Sequence, residues 1–145
     1  MFGLALIYGF LAAAAALFVQ VIFLYFTGAT TLDSPSLLIL LVAAMLEEGA
    51  RLIFLLQLAK HHPNATSYIH ALFFGIGFVI AELSLLALSP TDFPETILAL
   101  QMVLVHLVGT AIIYCGIRFR NTFPFAPLAA LAMAILFHTL YNVSI

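Results

Sequence analysis

The chain has 145 residues, of which 66% are hydrophobic and 7% charged, with a formal net charge of −2 and a mean hydropathy of +1.25. A soluble domain carries about 25% charged residues to keep its exterior wet, so ten charges here exclude an ordinary water-soluble globule. The small net charge and the lack of any basic patch exclude a nucleic-acid binder, and the single Cys115 excludes an internal disulfide or a cysteine metal cluster.

Five apolar stretches follow in order, each long enough to approach the roughly 20 residues a helix needs to cross a bilayer. They run Phe2–Phe26, Ser36–Lys60, Thr66–Leu88, Glu95–Ile117 and Phe125–Val143. The runs are continuous rather than alternating, which favours helices over a membrane barrel. The first has no basic n-region and is longer than the 7–15 apolar residues of a signal peptide, so it reads as a span. It carries no charge and is expected to be a mobile or lipid-facing element. Breakers separate the spans: Thr27-Gly28 through Ser34-Pro35, His62-Pro63-Asn64, Ser89-Pro90 with Phe93-Pro94, and Asn121 through Pro124.

The second span holds Glu47, Glu48 and Arg51 near its middle. Glu47 and Arg51 are four apart and Glu48 and Arg51 three apart, so either acid can pair with the arginine on one helix face. The two glutamates lie about 100° apart around the axis, so one is expected to meet a shared pocket and the other to steady a neighbouring helix. The third span holds Gly75, Gly77, Phe78 and Glu82. Its small residues should permit close approach and bring Glu82 within reach of Glu47 or Glu48. The fourth span holds His106, and the fifth holds His138 and Asn142, four apart and on the same side. His61, His62 and His70 lie in or beside a loop and are expected to be wet or at lipid headgroups.

Lys60, Arg118 and Arg120 follow the second and fourth spans, whereas Asp33, Asp92 and Glu95 flank the other loops. Basic loops face the cytoplasm, which puts Met1 inside and Ile145 outside. At about 1.5 Å per residue, Glu47 and His106 then lie roughly 16 Å below the outer edge and Glu82 about 9 Å below it. His138 lies nearer the outer surface than the inner. The expected fold is therefore an all-α polytopic membrane protein, a single domain over residues 1–145. Its last four helices would form a core that converges on a polar intramembrane site.

A charge inside hydrocarbon costs about 2.5–3.5 kcal/mol on insertion scales and defaults to function. Carboxylates and imidazoles can deprotonate a water, and an imidazole with an amide can donate to an oxyanion. Peptide hydrolysis within a membrane fits that set. Two histidines with one or two carboxylates (Glu47, Glu82, His106 and His138) also satisfy a zinc-type shell, so both a metal-free site and one holding a divalent metal remain open. Each group alone also fits helix packing; their co-occurrence carries the functional reading. No G-x-S-x-G elbow, H-E-x-x-H helix or aspartate within a span is present, which sets aside serine, zincin and paired-aspartate proteases. Asn64-Ala65-Thr66 and Asn142-Val143-Ser144 match a glycosylation sequon and are read as coincidence.

Glu47-Glu48-x-x-Arg51, Phe78-x-x-x-Glu82, His106 and His138-x-x-x-Asn142, in this order and each on its own span, resemble the motifs of PrsW-type intramembrane proteases. That family is related to the CAAX prenyl endopeptidases, to bacteriocin-processing enzymes (the CPBP or Abi group) and to the APH subunit of gamma-secretase. The stretch Phe74 to Glu82 looks nearest to PrsW, where lysine usually stands in place of Arg51. The resemblance implies Glu47 or Glu48 as the water-activating base, Glu82 and His106 as its partners, His138 with Asn142 as an oxyanion or ligand site, and Arg51 and Phe78 in support. It implies a single-span membrane protein as substrate, cut near the outer face of the cell membrane. Two other functions share the same residues: a non-catalytic scaffold of the APH type, and a small proton or ion transporter relaying through Glu47, Glu48, Glu82 and His106. The absence of an inverted repeat argues against the transporter.

Overall fold

The computed structural model describes residues 1–27, 36–62, 67–88 and 96–144. The acids Asp33, Asp92 and Glu95, the breakers at 28–35, 63–66 and 89–95, and the sequon at Asn64 lie outside them. The described residues form five helices: α1 (Phe2–Thr27), α2 (Leu37–His61), α3 (Tyr68–Leu88), α4 (Thr96–Phe119) and α5 (Ala126–Ser144). Each agrees with an expected span to within two residues. α1, α3, α4 and α5 are long and apolar enough to cross a membrane. α2 is of similar length, 25 residues, but Glu47, Glu48 and Arg51 fall within every crossing-length stretch of it.

Local chemistry sets the helix ends. Ser36 Oγ accepts from the Ile39 N–H at 3.4 Å and caps α2, whose other end closes with the His62 N–H on the Leu58 carbonyl at 2.9 Å. Between α4 and α5 the Phe123 N–H bonds the Phe119 carbonyl and the Ala126 N–H bonds the Phe123 carbonyl, each at 2.9 Å. Pro124 sits in that turn, and Pro127 sits in the first turn of α5, where its missing N–H has no helical partner to lose.

Packing orders the helices α1, α3, α4, α5, α2 and back to α1, with α2 also leaning on α4. The interior draws on all five, with Ala5, Ala12 and Ala13 from α1, Leu52, Leu55 and Leu58 from α2, Phe74 and Phe78 from α3, Ile113 from α4 and Ala134 from α5. This corrects the expectation that the last four helices alone make the core. One side of α1 is buried on α3; only its other side, with Phe18 and Val21, faces outward. Small side chains explain the difference. A Cβ on Gly9 would overlap the Phe74 carbonyl, and one on Gly77 would overlap the Leu6 carbonyl, so the two backbones are in contact. Gly75 faces α4 instead, where its Cβ would come 2.9 Å from Leu107 Cδ2. The expected close approach of α3 is real, but it is made to α1 and α4 rather than to α2.

Outward faces are largely apolar, as with Ile53, Leu72, Leu104, Leu128 and Leu140. A soluble protein rarely shows contiguous apolar patches above a few hundred square ångströms. Here apolar side chains cover the sides of the bundle.

Candidate functional site

Arg51 sits inside the ring, wholly buried. Its guanidinium touches three neighbours of different kinds. One Nη bonds Glu48 Oε1 one turn back, and the other bonds His106 Nδ1 on α4. The face of the fork lies 4.0 Å from the centre of the Phe78 ring on α3, a cation–π contact. Gly109 makes room for this: a Cβ there would lie 2.9 Å from Arg51 Nη1 and 3.2 Å from Glu48 Oε2. Glycine at that point of α4 is what lets an arginine on α2 reach the imidazole beyond it.

His138 on α5 takes both glutamates. Its Nδ1 bonds Glu48 Oε1 at 2.8 Å, and its Nε2 stands 3.5 Å from Glu47 Oε2. One acid was expected to meet the cluster and the other to steady a neighbour. Both meet it, because an imidazole has a nitrogen on each side and can bridge two carboxylates 100° apart on a helix. The second acid also steadies a neighbour: Glu47 Oε1 accepts from Gln20 on α1 at 2.8 Å.

Glu82 lies against His106 Nε2 rather than against Glu47 or Glu48. Its side chain keeps 25% of its exposure, so it closes the outer side of the cluster. The reason follows from helix order. α3 neighbours α1 and α4, so its acid reaches the histidine on α4 before it can reach α2. The rings of His106 and His138 meet edge-on at 5.3 Å, and Phe78 lies 5.2 Å from His106.

Asn142, one turn beyond His138, is half-buried and hydrogen-bonded to none of these side chains. The histidines expected to be wet divide. His61 is exposed and His62 half-buried, but His70 is buried, with Nδ1 2.6 Å from Ser67 Oγ and its ring 4.9 Å from that of Phe2. Proximity to a loop placed it in water; rotation about α3 turns it inward onto the start of α1. The sequon at Asn142 falls within the last turn of α5.

Gln20 is the member of the cluster that sequence reasoning passed over. Its carboxamide donates to Glu47 Oε1 and, at 3.2 Å, to the Ala43 carbonyl. The signal was available: it is the one amide in the apolar helix α1. A search for charge alone does not find it.

The partners fix the protonation pattern. Arg51 can only donate, so His106 Nδ1 must accept, and the proton of a neutral ring is then on Nε2, facing Glu82. A carboxylate can only accept, so His138 Nδ1 carries the proton toward Glu48, and its Nε2 lone pair faces Glu47. Glu47 Oε2 and Glu48 Oε2 are buried and have no hydrogen-bond partner among the described residues. Glu47, His106 and His138 each place one ligand-type atom within 4.8 Å of the others, which is the spacing of a metal site. The hydrogen bonding does not leave His106 a free lone pair, however, and Arg51 adds a positive charge beside it. Glu47 Oε2 and His138 Nε2 alone fall short of the three protein ligands of a catalytic zinc. The set does not fit a divalent metal in this arrangement.

No protein-family model, curated protein or solved structure matches this chain, so what the cluster does has to be argued from its own chemistry.

Proposed function

We propose that the chain is a multi-pass membrane protein, with its amino terminus in the cytoplasm, and that it is an intramembrane endopeptidase of the glutamic type. It cuts a lipid-embedded polypeptide with a water activated by Glu47. The observation that carries this reading is the pair of lone pairs, Glu47 Oε2 and His138 Nε2, 3.5 Å apart, held inside a bundle whose outer surface is apolar. The resemblance to PrsW-type proteases, with Arg51 in place of lysine, points the same way.

Glu47 rather than Glu48 is the base because its side chain is the less buried of the two, although Oε2 itself is buried and water reaches it only as the cluster opens. The Glu47 side chain keeps 13% of its exposure and Glu48 none. Glu48 is also held by Arg51 and His138 and is the structural member of the pair. In the reaction, a water against Glu47 Oε2 gives up a proton to the carboxylate as its oxygen adds to the scissile carbonyl. The His106 Nε2–H, against which Glu82 lies in the resting site, becomes the donor for charge developing on the carbonyl oxygen once the substrate displaces that carboxylate. The proton on Glu47 then passes to the departing amine as the C–N bond breaks. His138, tied to Glu48, orients Glu47. Asn142 has no part in this step.

The test is cleavage of a panel of single-span substrates by purified protein in liposomes. Glu47→Gln should lower turnover by at least about 10²-fold, His106→Ala should also lose it, and a strong chelator should change nothing. A loss on chelation would restore the metal reading. The complete burial of Glu48 and Arg51 favours a second reading, a non-catalytic scaffold in which the cluster only pins helices together. Under it nothing is cut, and Glu47→Gln alters stability alone; ion flux through the same liposomes would mark a transporter instead.

A further inference from the structure

The seam between α1 and α2 is open and lined almost wholly by apolar side chains. It holds an open cleft of about 140 Å³ walled by Phe23 and Leu24 from α1 and by Ile39 and Leu40 from α2. A second hollow lies further along the same seam, past Leu46, which lines both. On the opposite side of α1 the backbone touches α3 directly at Gly9 and Gly77. α1 thus meets α3 backbone to backbone on one side and meets α2 across a cleft on the other.

The cleft is apolar except at its floor. There the Gln20 carboxamide donates to Glu47 Oε1 at 2.8 Å and to the Ala43 carbonyl at 3.2 Å. Gln20 itself is only half-buried. The primary amide there has two N–H donors, one for each acceptor, and a peptide N–H can take over one of those bonds. One acceptor is a backbone carbonyl and the other is an oxygen of the base, so a peptide docked there would hold its carbonyl beside Glu47 Oε2.

We propose that Gln20 is a placeholder for substrate: a locally extended stretch of a lipid-embedded polypeptide enters between α1 and α2, and one of its backbone N–H groups displaces the Gln20 amide from Glu47 Oε1. This rests on the protease reading for what happens next, but the binding step stands separately. The apolar walls accept the side chains of such a segment, and Glu47 Oε1 takes the N–H that unwinding exposes, a group that is otherwise unsatisfied in hydrocarbon. A lipid acyl chain also fits the walls but has no donor, so it fills the cleft without releasing Gln20. With the cleft empty of peptide, Gln20 is a positioning residue that holds Glu47 by one oxygen and leaves the other turned to His138.

Two measurements on the full chain in liposomes test the binding step. The probe is a synthetic single-span peptide of leucine and alanine, flanked by lysines, with a glycine-serine break near one end. A photoreactive side chain is placed at Leu40 in the cleft or, as a control, at Leu128 on the outer face of α5, which is 60% exposed. The Leu40 position should capture the probe several-fold more than Leu128. In the second measurement, side-chain amide NMR follows nitrogen-labelled glutamine, of which the chain has three, Gln20, Gln57 and Gln101; the Gln20 signal is assigned by its loss in Gln20→Leu. The probe should shift the Gln20 signal and leave the other two. Equal capture at the two positions, capture of lipid only, or a Gln20 signal that does not move would each overturn the inference. If nothing is cleaved but both signatures appear, the protease reading fails and the binding site stands. If cleavage proceeds without them, the binding site fails alone.

Discussion

The seam between α1 and α3 and the seam joining α2 to α4 and α5 hold helices together in opposite ways. The first has no charged group and relies on backbone contact at Gly9 and Gly77. The second is built on Arg51, Glu48, His106 and His138, with little of its contact made backbone to backbone. In hydrocarbon there is no hydrophobic gain from bringing helices together, so association depends on close packing or on polar bonds. This chain uses one device on each side of the ring. The packed seam gives rigidity without chemistry, and the polar seam concentrates the reactive groups where they are fixed by several partners each.

The largest expected effect breaks the packed seam. Gly77→Leu places a branched side chain where the Leu6 backbone already lies, which no rotamer can avoid. Overpacking a core usually costs about 1–3 kcal/mol, and here a whole helix must move. Recovery of folded protein from detergent, followed by size-exclusion chromatography and helicity, should fall to little or none. Full recovery would show that the α1–α3 contact is not needed.

Next is the polar seam. Arg51→Met leaves Glu48 buried without its counter-charge, and breaking such a pair by removing one partner costs about 3–5 kcal/mol. Reversible unfolding in mixed micelles would measure it. The double substitution Arg51→Met with Glu48→Gln removes both charges and should return part of that loss. If the single and double variants are equally unstable, the coupling between the two residues is small and the seam is held by something else. The smallest effect falls where the two devices meet. Gln20→Leu removes one neutral-to-charged hydrogen bond and should cost about 1–3 kcal/mol, with α1 still docked on α3.

The five helices were legible because each apolar run is unbroken and each connection carries proline, glycine or asparagine. The ends then fall within two residues of where the composition changes. The neighbour relations were not legible. Nothing in hydropathy says that α1 sits between α2 and α3; it follows from which glycines meet which backbones, and those glycines look alike in sequence. Glu47, Glu48, Arg51, Glu82, His106 and His138 stood out because charge and imidazole are costly in an apolar run, and each of the six is paired with at least one other. The pairings within them depend on helix order, so Glu82 was matched to the wrong partner. Asn142 was included by spacing on α5, and Gln20 was missed because an uncharged amide does not raise the same alarm.

The three-residue spacing of Glu48 and Arg51 has a further consequence, for biogenesis. A chain threaded into a bilayer from its amino terminus presents α2 well before α4 and α5 exist: the histidine that bonds Glu48 comes 90 residues later, and the one that bonds Arg51 comes 55 residues later. During that interval Glu48 and Arg51 have each other, with Glu47 one turn from the arginine on the same helix. Because they sit one turn apart on a single helix, they already neutralise one another when that helix first meets lipid. On the proposed multi-pass reading, the same bond that anchors the finished cluster serves earlier as a travelling escort, making it less costly for a nascent helix to wait in the membrane for partners not yet synthesised.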